Sequence, residues 1–148
     1  MMKIIVGYPN ANEEYDILKR YYHTSAAQEL EHVKPVLPAA EIFKIRELID
    51  KVYIQDALLQ YIASVIHSTR NHRDLYLGAS PRASLAIMRA AKATAAMNGR
   101  SFVTPDDIRY VTFPVLNHRL ILTPESEMEG VEMRDVVNDI LKTVEVPR

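Results

Sequence analysis

The residues best suited to chemistry lie in the run Leu77-Gly78-Ala79-Ser80-Pro81-Arg82. Ser80 is a preferred helix N-cap type, and Pro81 fits the first helical position, where its missing N–H is no loss. An alanine-rich segment follows out to Met97 and reads as one long helix. Arg82 therefore falls in the first turn, at the positive end of the helix macrodipole. Asp or Glu would be stabilising there, whereas a cation costs about 0.3–1 kcal/mol. Two readings follow: Arg82 points into water and the penalty is tolerated, or Arg82 and the helix end together hold an anion such as a phosphate. Electrostatics alone weighs them evenly.

No second constellation of this kind stands out. The chain lacks a GxxxxGK[ST] phosphate loop and has only four glycines, so it does not encode a complete mononucleotide site. Of the five histidines (His23, His32, His67, His72 and His118), His67 and His72 are five apart at a helix end rather than an i, i+4 metal pair. There is no HExxH, and all five read as surface histidines. His118-Arg119 reads first as a cation pair favoured by a helix C-terminus, with phosphate or subunit contact as the alternative. Asp106 and Asp107 are capping residues before they are catalysts, and Glu125, Glu127 and Glu129 fall on a solvated turn. The absence of cysteine excludes disulfides, thiolate metal sites and cysteine nucleophiles. Eight tyrosines at helical spacing predict core or interface positions.

These residues must be positioned by a mostly helical chain. Its 148 residues suit one domain, and 48% hydrophobic with 25% charged residues is ordinary for a soluble globular protein. The formal charge of -1 argues against a surface that wraps nucleic acid. No apolar run reaches membrane-span length and no signal-peptide pattern opens the chain, so a soluble, cytoplasmic protein is expected. Residues 2–6 predict a strand ending at Gly7-Tyr8-Pro9, although such a strand has no obvious partner. Helices are predicted over 13–22 (capped by Asn12, with Tyr15, Leu18 and Tyr21/Tyr22 on one face), 39–51, 55–71 and 81–98, the last stopped by Gly99. A loop is expected over 23–38, with a short extended piece near 33–37, and Tyr53-Ile54 is ambiguous. Thr104-Pro105-Asp106-Asp107 predicts a capping box opening a fifth helix that Pro114 ends or kinks. A short extended piece over 119–122, a single turn from Thr123-Pro124 and a final amphipathic helix over 133–144 complete an all-α bundle of five to six helices with one or two short extended segments.

Four segments together resemble the C-terminal part of the MoxR family of AAA+ ATPases. They are Met2-Lys3-Ile4 through Tyr8-Pro9, Leu77 through Arg82-Ala83, Gly99-Arg100 through Val103-Thr104-Pro105-Asp106-Asp107-Ile108, and Val115-Leu116-Asn117-His118-Arg119-Leu120. The order and spacing fit, the likeness extends to Val144-Glu145-Val146-Pro147, and the Gly-Ala-Ser-Pro-Arg run is its specific part. The resemblance implies that residues 1–9 are the last strand and linker of an ATPase core and 10–148 the helical lid. It places the sensor 2 arginine at Arg82, reaching from the lid onto the phosphates of ATP, with Ser80 and Pro81 beside it. Tyr8, Ile17 and Leu18 would line the adenine pocket, residues that otherwise read as core. ATP with Mg2+ would be bound by the parent protein, and neither would be bound by this chain alone, which lacks the Walker motifs and cannot hydrolyse ATP by itself. Implied partners are its own N-terminal ATPase core, neighbouring subunits of a ring such as a hexamer, and von Willebrand A-domain proteins, in a chaperone-like role. The alternative is a free-standing helical adaptor or nucleic-acid-binding module, with Arg70, Arg73, Arg82, Arg89 and Lys92 as a basic face.

Overall fold

Seven helices and one two-stranded sheet are found over residues 1–22 and 33–147, the part of the chain that the computed structural model describes. In chain order they are α1 (Ala11–Tyr22), α2 (Ala39–Asp50), α3 (Asp56–Arg70), β1 (Leu75–Leu77), α4 (Pro81–Met97), α5 (Pro105–Leu116), β2 (Ile121–Leu122), α6 (Pro124–Met128) and α7 (Met133–Thr143). The expected mainly helical class holds, with the single turn at Pro124 supplying the seventh helix. His23, His32 and most of the loop expected over 23–38 lie outside the described residues. Among the described residues, no helix is long and apolar enough to cross a membrane.

The chain divides into two compact units, Ile5–Ile45 and Met1–Ile4 with Arg46–Arg148, the boundary falling within α2. In the first unit, Asn10 rather than Asn12 caps α1. Its Oδ1 accepts the N–H groups of Asn12 (3.0 Å) and Glu13 (3.1 Å), while the Glu13 carboxylate accepts the Asn10 N–H at 2.8 Å. This reciprocal box satisfies orphan donors two residues earlier than expected. No residue of α1 is buried, so Tyr15, Ile17 and Leu18 are not core positions. Residues 33–37 form no strand and bend at Val36-Leu37.

The second unit contains the core. α3 turns Leu58, Tyr61, Ile62, Val65, Ile66 and Thr69 inward at three- and four-residue intervals. α4 packs against both α3 and α5, and its inward face is Ala83, Ala86, Ile87, Ala90, Ala91 and Ala95. Small side chains on that face let neighbouring helices approach closely. α7 lays Val136, Val137, Ile140 and Leu141 against α3 and α5, and the Arg134 guanidinium stacks over the Phe113 ring at 4.1 Å. α4 stops where Gly99 takes φ +71°, a left-handed conformation that favours glycine.

Pro114 does not end α5, because the Asn117 N–H reaches the Phe113 carbonyl at 2.9 Å and closes the last turn beyond it. The strand expected over residues 2–6 is not formed. Instead the Lys3 N–H donates to the Pro114 carbonyl at 2.9 Å, filling one of the acceptors that a helix C-terminus leaves open. Without a neighbouring strand the segment has no ladder to join. The extended piece expected over 119–122 is β2, pairing antiparallel with β1 as Leu75 with Leu122 and Leu77 with Ile121. Tyr53 makes a parallel bridge to Phe102, its N–H donating to Ser101 and its carbonyl accepting from Val103.

Candidate functional site

Three helices of the second unit begin with Ser or Thr followed by Pro, which allows a comparison within one chain. At α5, the Asp107 carboxylate accepts both the Thr104 N–H (2.8 Å) and its hydroxyl (2.9 Å), so the Asp107 half of the expected box is formed. At α6, the Thr123 hydroxyl accepts the Ser126 N–H at 3.2 Å. Both helices carry two acids in the first turn, as the dipole favours. α4 has no acid there, and the Ser80 side chain makes no capping hydrogen bond although Ser80 occupies the N-cap position. Among the described residues Arg82 is exposed and has no hydrogen-bond or ion-pair partner. The Ser80 hydroxyl and the Arg82 guanidinium, both at the start of α4, thus have no partner among the described residues, whereas the Ala83 N–H is taken by the Ser80 carbonyl at 2.9 Å.

The preceding loop is held tightly by contrast. Gly78 lies so close to the end of α3 that a Cβ would come within 2.6 Å of the Arg70 Cα and 2.7 Å of the Thr69 carbonyl oxygen. Ala79 is buried, and both of its backbone polar groups are bonded to α3. Its N–H donates to the Thr69 hydroxyl at 2.9 Å, and its carbonyl accepts from the Arg70 Nε at 2.9 Å. The Thr69 hydroxyl in turn donates to the Ile66 carbonyl at 2.7 Å. The sequence singled out Gly78 and Ala79 but not Thr69, whose polar side chain sits on the buried face of α3.

Several other charged groups are paired within the chain. Arg100 grips Asp107 with two hydrogen bonds, 2.7 and 2.6 Å. Burial pushes the Asp107 carboxyl upward, but hydrogen bonds from Arg100 and Thr104 outweigh it and hold the group below its ordinary value. Arg119 donates to the Val115 carbonyl at 3.1 Å, the expected C-terminal cation on α5. His118 is held below its ordinary value by burial and by the adjacent Arg119 charge. Of the five cations considered as a basic face, Arg70 is bonded to Ala79, Lys92 donates to the Asp50 carbonyl at 2.9 Å and Arg73 pairs with Asp74 at 3.6 Å, while Arg82 and Arg89 have no partner among the described residues. Of the sequence-predicted site residues, Ser80, Pro81 and Arg82 come together at the start of α4. Tyr8, Ile17 and Leu18 belong to the unit Ile5–Ile45, where all three are exposed. Seven of the eight tyrosines are exposed and Tyr61 alone is core, so helical spacing was a poor guide to their burial.

Fold and site define a class: a helical domain that presents an arginine at a helix N-terminus. Residues 67–140 match the AAA lid domain family, and the chain belongs to it. It is 35% identical over 147 residues to uncharacterized protein YeaC of Bacillus subtilis, which aligns with 99% of this chain and 45% of its own length. It is 33% identical over 157 residues to chaperone MoxR1 of Mycobacterium tuberculosis, covering 100% of this chain and 40% of that protein. A crystal structure from Cytophaga hutchinsonii, assigned as an ATPase, superposes with TM-score 0.82 at 32% identity, over all of this chain and 47% of the other. The lid is thus of the MoxR-like AAA+ kind, and the chain spans less than half the length of the curated relatives it matches.

Proposed function

We propose that this chain is the sensor 2 lid of a MoxR-like ATPase, in which Arg82 meets the phosphates of ATP held by an N-terminal ATPase core. The carrying observation is the exposed guanidinium of Arg82, without a partner among the described residues, on a helix start whose N-cap hydroxyl also has none there. The first-turn placement that is unfavourable for a cation alone becomes favourable once an anion sits against it. As the terminal phosphate transfers to water, charge on its oxygens is stabilised by a guanidinium already in place. Among the described residues no three His, Asp or Glu side chains converge as a cation site. The proposal therefore assigns the magnesium ligands and the phosphate loop to the core. Residues 1–9 are taken as the core's last strand and linker and 10–148 as the lid, with Tyr8, Ile17 and Leu18 near the adenine. The exposed apolar side chains of α1 and α2 supply surface for packing against the core and against neighbouring subunits of a ring.

Steady-state ATP hydrolysis by the intact ATPase and its Arg82→Ala variant tests this reading. Turnover falls by on the order of a hundredfold, the scale for removing one preorganised donor at a developing charge. Wild-type turnover in the variant contradicts it.

A further inference from the structure

Thr69 and Arg70 close α3, immediately before the segment that leads through β1 to the arginine loop. Together they bond both polar groups of a single peptide residue, Ala79, three positions ahead of Arg82. A backbone residue fixed at its N–H and its carbonyl has little freedom to rotate, and Gly78 leaves no gap into which the loop could slide. The Ser80 and Arg82 side chains have no comparable restraint of their own among the described residues. The direction in which α4 starts, and with it the place from which Arg82 extends, is therefore set from α3.

We propose that Thr69 and Arg70 are positioning residues for Arg82: they act on ATP turnover by orienting the start of α4 and touch no nucleotide themselves. The inference rests on the reading of Arg82 as the residue that meets ATP. Thr69 is fully buried and its hydroxyl is a relay, accepting from Ala79 and donating to Ile66. Valine has nearly the same shape but leaves the Ala79 N–H without an acceptor. Serine keeps the relay and loses only a methyl. Arg70 is exposed on its outer side and bonds Ala79 through Nε, so methionine there, which places a methyl where Nε donates, removes the tether without opening the core.

The experiment is ATP hydrolysis by the intact ATPase carrying Thr69→Val, Thr69→Ser or Arg70→Met, each alone and combined with Arg82→Ala. Each protein is checked for a cooperative thermal transition. The proposal predicts that Thr69→Val and Arg70→Met lower kcat by roughly tenfold or more, since small misplacements of a positioned group act steeply on rate. Thr69→Ser stays within a factor of about two to three, because a hydroxyl is all that the relay needs. In the Arg82→Ala background the same substitutions produce no further loss, because the group they orient is gone. If Thr69→Val does not fold, the surface variant Arg70→Met decides alone. Equal losses with and without Arg82 assign the pair a purely structural role and overturn the inference. Wild-type turnover in both single variants overturns it while Arg82→Ala still slows the enzyme. An active Arg82→Ala variant instead removes the reading on which the inference stands.

Discussion

Arg82 carries opposite expectations for stability and for activity. In the chain alone, Arg82→Ala removes a cation from a helix N-terminus and also improves helix propensity. Urea denaturation of the chain is expected to show a change between zero and about 1 kcal/mol toward greater stability. A clear loss would mean that the guanidinium has a partner within the fold. Gly78→Ala behaves differently, because the new Cβ meets the backbone of Thr69 and Arg70 rather than a flexible side-chain end. We expect a loss of about 1–3 kcal/mol, typical of an added group with no room, read from the same urea curves. At this scale the sequence disclosed the odd placement of Arg82 but not what holds it. Ser80, Pro81 and Arg82 are adjacent along the chain, and cap chemistry is local. The bonds from Thr69 and Arg70 to Ala79 span ten and nine residues and arise from a turn back through β1, for which residue types give no signal.

At the scale of elements, periodicity and caps located the helices of the second unit closely. α3, α4 and α7 each follow an apolar repeat near 3.6, and Thr104, Pro105 and Gly99 mark ends that the structure keeps. α1 was located but its environment was not: its apolar face suggested core, and Tyr15, Ile17 and Leu18 are exposed. A hydrophobic stripe states that a face seeks a partner without saying whether the partner is in the same chain. The strand expected over residues 2–6 shows the same limit, since β-branched composition cannot supply a neighbouring strand. The alanine face of α4 was legible in kind, and its packing makes it sensitive. Ala91 is fully buried, so Ala91→Leu should lower stability by about 1–3 kcal/mol through overpacking, with a lower midpoint of thermal unfolding by circular dichroism. An unchanged midpoint would contradict close approach of the helices along this face.

For the molecule as a whole, the Arg100–Asp107 pair gives stability a defined acid limb. The Asp107 carboxyl is held below its ordinary 3.8 in the folded chain, so at low pH the unfolded chain takes up a proton there before the folded one does. Stability from this group is fully present above pH 3.8 and is lost as pH falls through the lower folded value. Asp107→Asn should remove that part of the acid limb and cost about 1 kcal/mol at neutral pH through the weakened cap of α5. Chemical denaturation at several pH values checks both, and an Asn variant with the wild-type acid limb would assign the effect elsewhere.

On the proposed reading, Arg82 at the start of α4 is half of a site whose anion an ATPase core supplies. Single-turnover ATP hydrolysis by the intact ATPase, comparing wild type with Arg82→Ala and Arg82→Lys, tests this most directly. The account predicts a loss of on the order of a hundredfold for Arg82→Ala. It predicts partial recovery for Arg82→Lys, which restores the charge without the planar fork of donors. Hydrolysis at the wild-type rate by folded Arg82→Ala would contradict it.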